Sequence, residues 1–460
     1  MRQTLKNSDN LFINIRSRQP GISTVFGMEM STELARPAHS GLHDNRVMAA
    51  MLGLLAASGS IVFIEPAPYD VIAMAMFPVL LVTGLRFPRD LQLPVFLLGI
   101  FVAGNILSAM LAPDPLQSIR SLSIRIYMVL TWLMVASLIA RQPAQMLRAL
   151  WTGYMIAALI AVAWGTAEYL GLIHNELWQG GLRARGAFKD PNVYGPFLVP
   201  AAIHSVRRLT SSRPADVALY LPLFLLMSFG ILLSFSRGAW INFALSLSLY
   251  VSFEFATAPG LRVRINWMLV TMLAVAMMVA VLAAAVSVDV IGDRFFQRAV
   301  IAQKYDVQSG GRFDTQRKAI EEIAVDPIGV GPGRSDEAFG LEPHDLYLHV
   351  FVEGGWLAGV SWLAFLFMTG YRLVALLRYR HPLRQEVFLL TACLTGLVMQ
   401  SFFIDSTHWR HFWLLLAVSW GVVISCRRSQ SATSRQALMS KPPSHDERSR
   451  YPVETLVTPQ

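Results

Sequence analysis

Long apolar runs alternate with short polar segments along most of this chain. The runs are roughly 18–25 residues long, the length that a helix needs to cross about 30 Å of hydrocarbon. A short sixth run, and a later run that contains a glycine pair, are candidates for broken or re-entrant helices. The pattern predicts about twelve transmembrane helices, at residues 47–64, 68–85, 92–112, 119–140, 145–170, 192–206, 217–234, 236–257, 266–288, 345–371, 386–404 and 410–426.

Composition agrees with a membrane protein. Only 15% of the residues are charged, whereas a soluble domain carries about 25%. We expect residues 1–46 and 427–460, which are polar and irregular, to be disordered cytoplasmic tails on a transmembrane domain at 47–426. The two cysteines, Cys393 and Cys426, show neither metal-ligand spacing nor the pattern of a disulfide framework.

Lysine and arginine concentrate in every second short loop, which sets the predicted orientation. If both termini are cytoplasmic, the inner connections are basic, whereas the outer loops at 64–70 and 111–118 contain no lysine or arginine. The net charge of +9 follows from this distribution. We expect contacts with membrane lipids and none with nucleic acid, because no basic stripe with interleaved aromatic residues lies outside the spans.

Three outer segments break the charge rule, because each contains arginine on the outer side. They are residues 171–191, the junction at Arg237, and the long loop at 289–344. This loop is too long to be governed by the charge rule or to be an idle connection. It should hold one or two short helices, one of them over 311–327, where apolar positions recur at helical spacing before a proline.

Two of these segments carry arginine close to a predicted span. Arg183, Arg185 and Lys189 immediately precede the sixth span, so that cations and a helix N-terminus could together bind an anion. Alternatively, these side chains extend to lipid headgroups. Arg237 lies between two apolar runs, at a depth where a charge usually faces the bundle interior and indicates function. The alternative for Arg237 is an exposed position in a tight turn.

The long loop and the span after it supply further candidates. Arg312 follows the glycine pair 310–311, and it is either an anion ligand or a solvated loop residue. His344 and Asp345 lie at the mouth of the next span, and His349 and Glu353 share one helical face. We expect no metal, because this spacing offers neither an HExxH motif nor a convergent ligand set. A histidine beside arginines suits proton transfer or hydrogen bonding to a substrate.

Cations grouped on the outer face favour an anionic amphiphilic substrate. A lipid-linked pyrophosphate fits, since arginines bind its oxygens in bidentate fashion and stabilise the charge on a leaving pyrophosphate. A transporter or flippase should instead show inverted repeats and polar groups near the bilayer midplane, neither of which the chain displays. Transport therefore stays the less favoured alternative to an enzyme.

Four ordered segments resemble the O-antigen ligase and polymerase superfamily of bacterial inner-membrane glycosyltransferases. They are RARGAFKDPNVYG (183–195), SFSRGAW (234–240), GGRFDTQRKAI (310–320) and DPIGVGPG…HDLYLHVFVEGGW (326–356), within a core at about 180–365. Two positions depart from the family pattern. Asp345 replaces the usual Asn, Ser or Gln, and Ala358 stands where the family often has glycine.

The resemblance implies an all-α, polytopic fold of the GT-C type, with about twelve transmembrane helices and one long periplasmic loop. It implies transfer of a glycan from undecaprenyl pyrophosphate to an acceptor sugar hydroxyl, without cofactor or metal, at the periplasmic face of the inner membrane. The acceptor would be the lipid A core for a ligase, or a second lipid-linked repeat for an O-antigen or exopolysaccharide polymerase.

The resemblance also implies roles for individual residues. His344 would contact or activate the acceptor hydroxyl, and Arg237 would be the second catalytic residue. Candidate acceptor contacts are Asp345, His349 and Glu353. The pyrophosphate would be bound by Arg183, Arg185, Arg237 and Arg312.

Overall fold

The computed structural model describes residues 40–82, 87–173, 183–209, 214–299 and 311–439. Within these ranges the protein is helical and contains no strand, so it is an all-α polytopic membrane protein. The helices are α1 (Ser40–Ala57), α2 (Pro68–Val82), α3 (Gln92–Leu111), α4 (Pro115–Arg141), α5 (Pro143–Tyr169), α6 (Pro191–Leu209), α7 (Pro214–Leu233), α8 (Arg237–Thr257), α9 (Leu261–Val286), α10 (Asp289–Ala299), α11 (Arg312–Val325), α12 (Ser335–Phe339), α13 (Leu346–Leu377), α14 (Arg384–Gln400) and α15 (Arg410–Met439).

Among the described residues, 8 helices are long and apolar enough to cross a membrane. They are α3, α4, α5, α7, α8, α9, α13 and α15. The other predicted spans correspond to α1, α2, α6 and α14, which are shorter or more polar. A helix therefore overlaps each predicted span, while the count of about twelve crossings stays a prediction.

The ends of the first and last helices differ from the predicted boundaries. Helix α1 begins at Ser40, before the predicted tail boundary at residue 46, and ends at Ala57, before a segment that contains Gly59 and Pro66. Helix α15 continues to Met439, past the predicted end at 426, because the polar residues after the span include no glycine or proline. The remainder of both predicted tails lies outside the described residues.

Helix α13 is broken at Gly355, as the glycine pair in its sequence predicted. Gly355 has φ 68° and ψ −172°, which interrupts the helical hydrogen bonds. The freed carbonyls of Val352 and Glu353 accept hydrogen bonds, of 2.8 and 3.2 Å, from backbone amides of residues 327–333. We call residues 327–333 the glycine strap. The strap thus joins the long loop to the interior of a spanning helix.

The long loop holds the helix that its sequence predicted. Helix α11 spans Arg312–Val325 and ends at Asp326, whose carboxylate accepts hydrogen bonds from the amides of residues 328 and 329. The described part of the loop also contains α10 and α12, which is one helix more than the prediction allowed. The cap at Asp326 directs the chain from α11 into the glycine strap.

Several loops meet at one end of the bundle. The amide of Val62 donates to the carbonyl of Ala187 at 2.9 Å, and that of Leu346 donates to the carbonyl of Ser401, also at 2.9 Å. We call this the long-loop end, comprising residues 58–67, 112–114, 183–190, 234–236, 311–345 and 401–409. The predicted outer loops are therefore neighbours in space.

Large aromatic side chains fill the core between α4, α13 and α15. The rings of Trp362 and Trp413 lie 5.0 Å apart, and those of Trp132 and Phe365 lie 5.5 Å apart. Aromatic pairs at such separations add to the stabilisation from apolar burial. This packing holds the middle of α13 against α4 and the first turn of α15.

Candidate functional site

His344 lies in the turn that leads into α13. It has φ 49°, a left-handed conformation that is uncommon for residues other than glycine, and its side chain is half-buried. The next residue, Asp345, caps the helix, because its Oδ1 accepts hydrogen bonds from the amides of Tyr347 (2.8 Å) and Leu348 (3.0 Å). The His344 ring makes no hydrogen bond with any residue that the structure describes, so the ring is available to a substrate.

The Asp345 carboxyl is also perturbed electrostatically. Burial raises its pKa, and the nearby Asp405 carboxylate acts in the same direction. The cap hydrogen bonds and the Arg312 guanidinium oppose that rise but do not cancel it. Asp345 is thus occupied with capping α13, and its predicted contact with an acceptor stays a prediction.

Arg312 reaches the same region from the other side of the long loop. Its guanidinium lies 5.5 Å from the ring centroid of Phe403, which belongs to the loop between α14 and α15. A cation over an aromatic face is held there by the quadrupole of the ring. The structure therefore brings together the predicted pyrophosphate ligand Arg312, the loop at 401–409 and the His344 turn.

Arg183 is adjacent to the turn that carries Arg237. Its Nε donates to the carbonyl of Ser234 at 2.8 Å, and its Nη2 donates to Asn192 Oδ1 at 2.8 Å. Phe235 in that turn has φ 46°, and Arg237 is the half-buried first residue of α8. The two arginines predicted from separate motifs therefore share one surface at the long-loop end.

Gln400 connects this surface to the loop at 401–409. The Gln400 side chain accepts a hydrogen bond from Asn242 Nδ2 at 2.9 Å and donates to the carbonyl of Asn192 at 3.5 Å. Gln400 is the last residue of α14, directly before that loop. Gln400 could not be selected from the sequence, because an amide at the end of an apolar run has no distinctive spacing.

Arg185 is paired within the protein. Its Nε lies 2.9 Å from Glu168 Oε1, and Glu168 Oε2 also accepts a hydrogen bond from the amide of Gly186 at 3.1 Å. These contacts anchor the 183–188 turn to the end of α5. The predicted binding of pyrophosphate by Arg185 stays a prediction, and a donor would have to compete with Glu168 for the guanidinium.

His349 and Glu353 lie inside the bundle. The Glu353 carboxylate is ion-paired with Arg125 of α4, and both side chains are only 1% exposed. Glu353 Oε2 also lies 3.2 Å from His349 Nε2, and Oε1 accepts a hydrogen bond from the Ser335 amide at 3.4 Å. The acceptor contacts of His349 and Glu353 stay predictions, and in this structure both residues join α13 to α4 and α12.

Two further residues extend this network to the long-loop end. Asp405 Oδ2 lies 3.6 Å from His349 Nε2 and 3.5 Å from His408 Nδ1. Burial alone would raise the pKa of Asp405, but the two imidazoles hold that pKa well below its usual range. His349, Asp405 and His408 could hold a metal ion, since one donor atom from each lies within 4.8 Å of the others.

Sequence reasoning missed Arg125, Asp405 and His408. Arg125 carried a usable signal, because a charge within an apolar span is costly and usually has a partner. Asp405 and His408 carried none, since a short loop with an acid and a histidine is ordinary. The expectation of no metal considered only the spacing around His344 and His349, and it could not anticipate ligands from another loop.

Part of the chain matches a known protein family. The chain has no match among curated proteins. Residues 222–363 match a family model described as O-antigen ligase, a stretch that runs from within α7 through the long loop into α13. It includes Arg237, Arg312 and His344. The match supports the resemblance to the O-antigen ligase superfamily seen in the four sequence segments.

Proposed function

We propose that this protein transfers a glycan from undecaprenyl pyrophosphate to an acceptor sugar hydroxyl at the periplasmic face of the bacterial inner membrane. Its superfamily consists of membrane glycosyltransferases, whose substrates are a lipid-linked glycan and an acceptor. The observation that carries the proposal is the meeting of the His344 turn and Arg312 at the 401–409 loop. Residues from distant segments thus surround one place at the end of an apolar bundle.

Donor binding is proposed to rest on arginines at helix starts. Arg237 is the first residue of α8 and Arg312 is the first residue of α11. Free amides and the helix dipole favour an anion at such a position, and the guanidinium adds a bidentate donor. Together with Arg183 they would balance the pyrophosphate charge without a metal ion in the reaction.

His344 is proposed to act on the acceptor. As the bond between the sugar anomeric carbon and the phosphate oxygen breaks, its electron pair leaves with the pyrophosphate. The acceptor hydroxyl oxygen forms the new glycosidic bond, and its proton passes to the His344 imidazole. The arginines would stabilise the charge that develops on the leaving group.

The test is glycan transfer in membranes that contain the native protein or one of three variants. We expect His344→Ala and Arg237→Ala to lower transfer by about 10²–10⁴-fold while donor accumulates. His381→Ala is the matched control, because His381 lies between α13 and α14 at the opposite end of the bundle. Full transfer by both site variants would overturn the assignment of these residues. Movement of lipid-linked glycan across a bilayer without new glycosidic bonds would establish transport instead.

Polymerisation is the second candidate, since a polymerase of the same superfamily needs the same donor contacts. A deletion strain separates the two reactions by its glycan profile. Loss of a ligase should leave uncapped lipid A core and long polymer on the lipid carrier. Loss of a polymerase should leave single repeats. Bacterial surface polysaccharide, resolved on a gel, is the readout in both cases.

A further inference from the structure

The buried network at the start of α13 contains an arrangement that has no step in the proposed transfer. His349 lies about one turn into α13, whereas Asp405 and His408 lie on the loop between α14 and α15. From this arrangement we propose that His349 Nε2, the Asp405 carboxylate and His408 Nδ1 bind a divalent transition-metal ion. Zinc is the best match to these donors.

Two of the distances between the donor atoms are close to those of a tetrahedral site. Zinc–nitrogen bonds of about 2.0–2.1 Å place neighbouring ligand atoms roughly 3.3–3.4 Å apart. The two distances to Asp405 Oδ2 are 3.6 Å from His349 and 3.5 Å from His408. The donor atoms of the three residues lie within 4.8 Å of one another, so small side-chain rotations would bring each atom to bonding distance.

His349 Nε2 faces this group without a well-formed hydrogen bond. The residue is 2% exposed, and the nitrogen makes no well-formed hydrogen bond within the part of the chain that the structure describes, although the Glu353 and Asp405 carboxylates lie 3.2 and 3.6 Å from it. A buried polar atom without a well-formed hydrogen bond costs free energy, so that a ligand at this place would remove a penalty. This nitrogen, buried between two carboxylates, is the observation that points to a bound ion.

Hydrogen-bonding side chains behind the donor atoms orient two of the three ligands, His349 and Asp405. Ser335 Oγ lies 3.5 Å from His349 Nδ1, the nitrogen left over when Nε2 binds a metal. Thr407 donates to Asp405 Oδ1 from its amide at 2.9 Å and from its hydroxyl at 2.8 Å. Metal ligands in proteins are commonly held in this way, by hydrogen bonds from a second layer of residues.

Donor chemistry narrows the choice of ion. Two imidazoles and one carboxylate suit zinc and neighbouring first-row metals, whereas magnesium and calcium prefer an all-oxygen shell. The alternative occupant of the same place is a proton on His349, which would then lie between the carboxylates of Glu353 and Asp405. The Arg125 guanidinium already compensates the negative charge of Glu353, and either a metal ion or the proton on His349 would compensate the negative charge of Asp405.

A metal here would join two parts of the proposed active site. The 401–409 loop carries Phe403, on which Arg312 rests, and Ser401, whose carbonyl accepts the amide of Leu346 beside Asp345. A bond from that loop to His349 would fix the loop against α13. The ion would hold the site together and take no part in bond making, so that its presence does not depend on the proposed transfer.

The experiment measures metal on the purified full-length protein. Protein from cells grown with added zinc is analysed by mass spectrometry, and chelator-stripped protein is titrated with Zn²⁺ against a chromophoric chelator. We expect about one zinc per chain for the native protein and less than about a tenth of that for His408→Gln and Asp405→Asn. Thr407→Val should keep the ligands and weaken zinc binding by roughly 10–100-fold.

His381→Gln is the control, because it removes a histidine from the opposite end of the bundle and should bind zinc as the native protein does. The His408 side chain is 36% exposed, so its replacement should leave the fold intact, which circular dichroism and gel filtration would verify. Zinc binding by the variants equal to that of the native protein would overturn the proposal. The absence of stoichiometric zinc in the native titration would also overturn it, in favour of a protonated His349.

Discussion

Asp345 allows a sharp test of how the His344 turn is held. Its carboxylate caps α13 through the amides of Tyr347 and Leu348, at 2.8 and 3.0 Å. Burial also raises its pKa. Asp345→Asn keeps an oxygen that can cap the helix and removes the charge, whereas Asp345→Ala removes both. The two variants therefore separate capping from charge.

The magnitude follows from the cap. Losing a side-chain cap costs about 0.5–2 kcal/mol, typically about 1 kcal/mol, which is a factor of roughly five in an equilibrium constant. Asp345→Ala should therefore destabilise the first turn of α13 by about this factor and lower glycan transfer several-fold. Asp345→Asn should retain transfer, because the helix start and the His344 turn keep their geometry.

The raised pKa adds a pH dependence with a definite sign. The folded protein holds the Asp345 proton more tightly than the unfolded chain does. The bound proton on Asp345 therefore stabilises the folded protein fully at a pH below the pKa of this carboxyl in the unfolded chain. That stabilisation is lost as the pH rises through the pKa of Asp345 in the folded protein. At neutral pH Asp345→Asn should be at least as stable as the native protein. That advantage should shrink as the pH falls through the folded pKa.

The assay combines thermal unfolding of detergent-solubilised protein between about pH 4 and pH 8 with transfer in membranes. Asp336→Asn is the control, since Asp336 is an exposed residue in the first turn of α12. If Asp345→Asn lost as much transfer as Asp345→Ala, capping would not be the role of this side chain. A direct contact of the charged carboxylate with the acceptor would then be the better account.

Three other substitutions test the packing around the site. Gly355→Ala should destabilise the protein by about 2 kcal/mol or more, because a Cβ there would lie 2.4 Å from the carbonyl oxygens of residues 327 and 328. Gly370→Ala is the control in thermal unfolding, because a Cβ at residue 370 would meet no neighbouring atom within 4 Å. Arg125→Met should cost about 3–5 kcal/mol by removing the guanidinium that compensates the buried Glu353 carboxylate, and Arg125→Met/Glu353→Gln should recover much of that loss in the same measurement. Phe403→Leu removes the ring beneath the α11 arginine, a cation–π contact of about 0.5–1 kcal/mol, and should raise KM for the donor a few-fold with kcat little changed.

Features that depend on local sequence could be predicted. A span requires an uninterrupted apolar run, so a helix was found at each run, and a helix of the long loop ends at Asp326 because a proline follows. The glycine pair at 354–355 likewise predicted the break in α13. Helix ends were less certain, as the continuation of α15 to Met439 shows, because polar residues that tolerate a helix give no stop signal.

Pairing between distant residues was decided by the tertiary structure alone. Arg125 and Glu353 are far apart in the sequence, and they meet because α4 and α13 pack together. Contacts between other segments give Arg185 a partner in Glu168 and place Asp405 beside His349. Hydropathy indicates which segments are long and apolar enough to cross a membrane, but it carries no information about which faces of two helices touch. The sequence by itself therefore determined the apolar helices and the candidate cations, and the packing of the bundle decided which charges compensate each other.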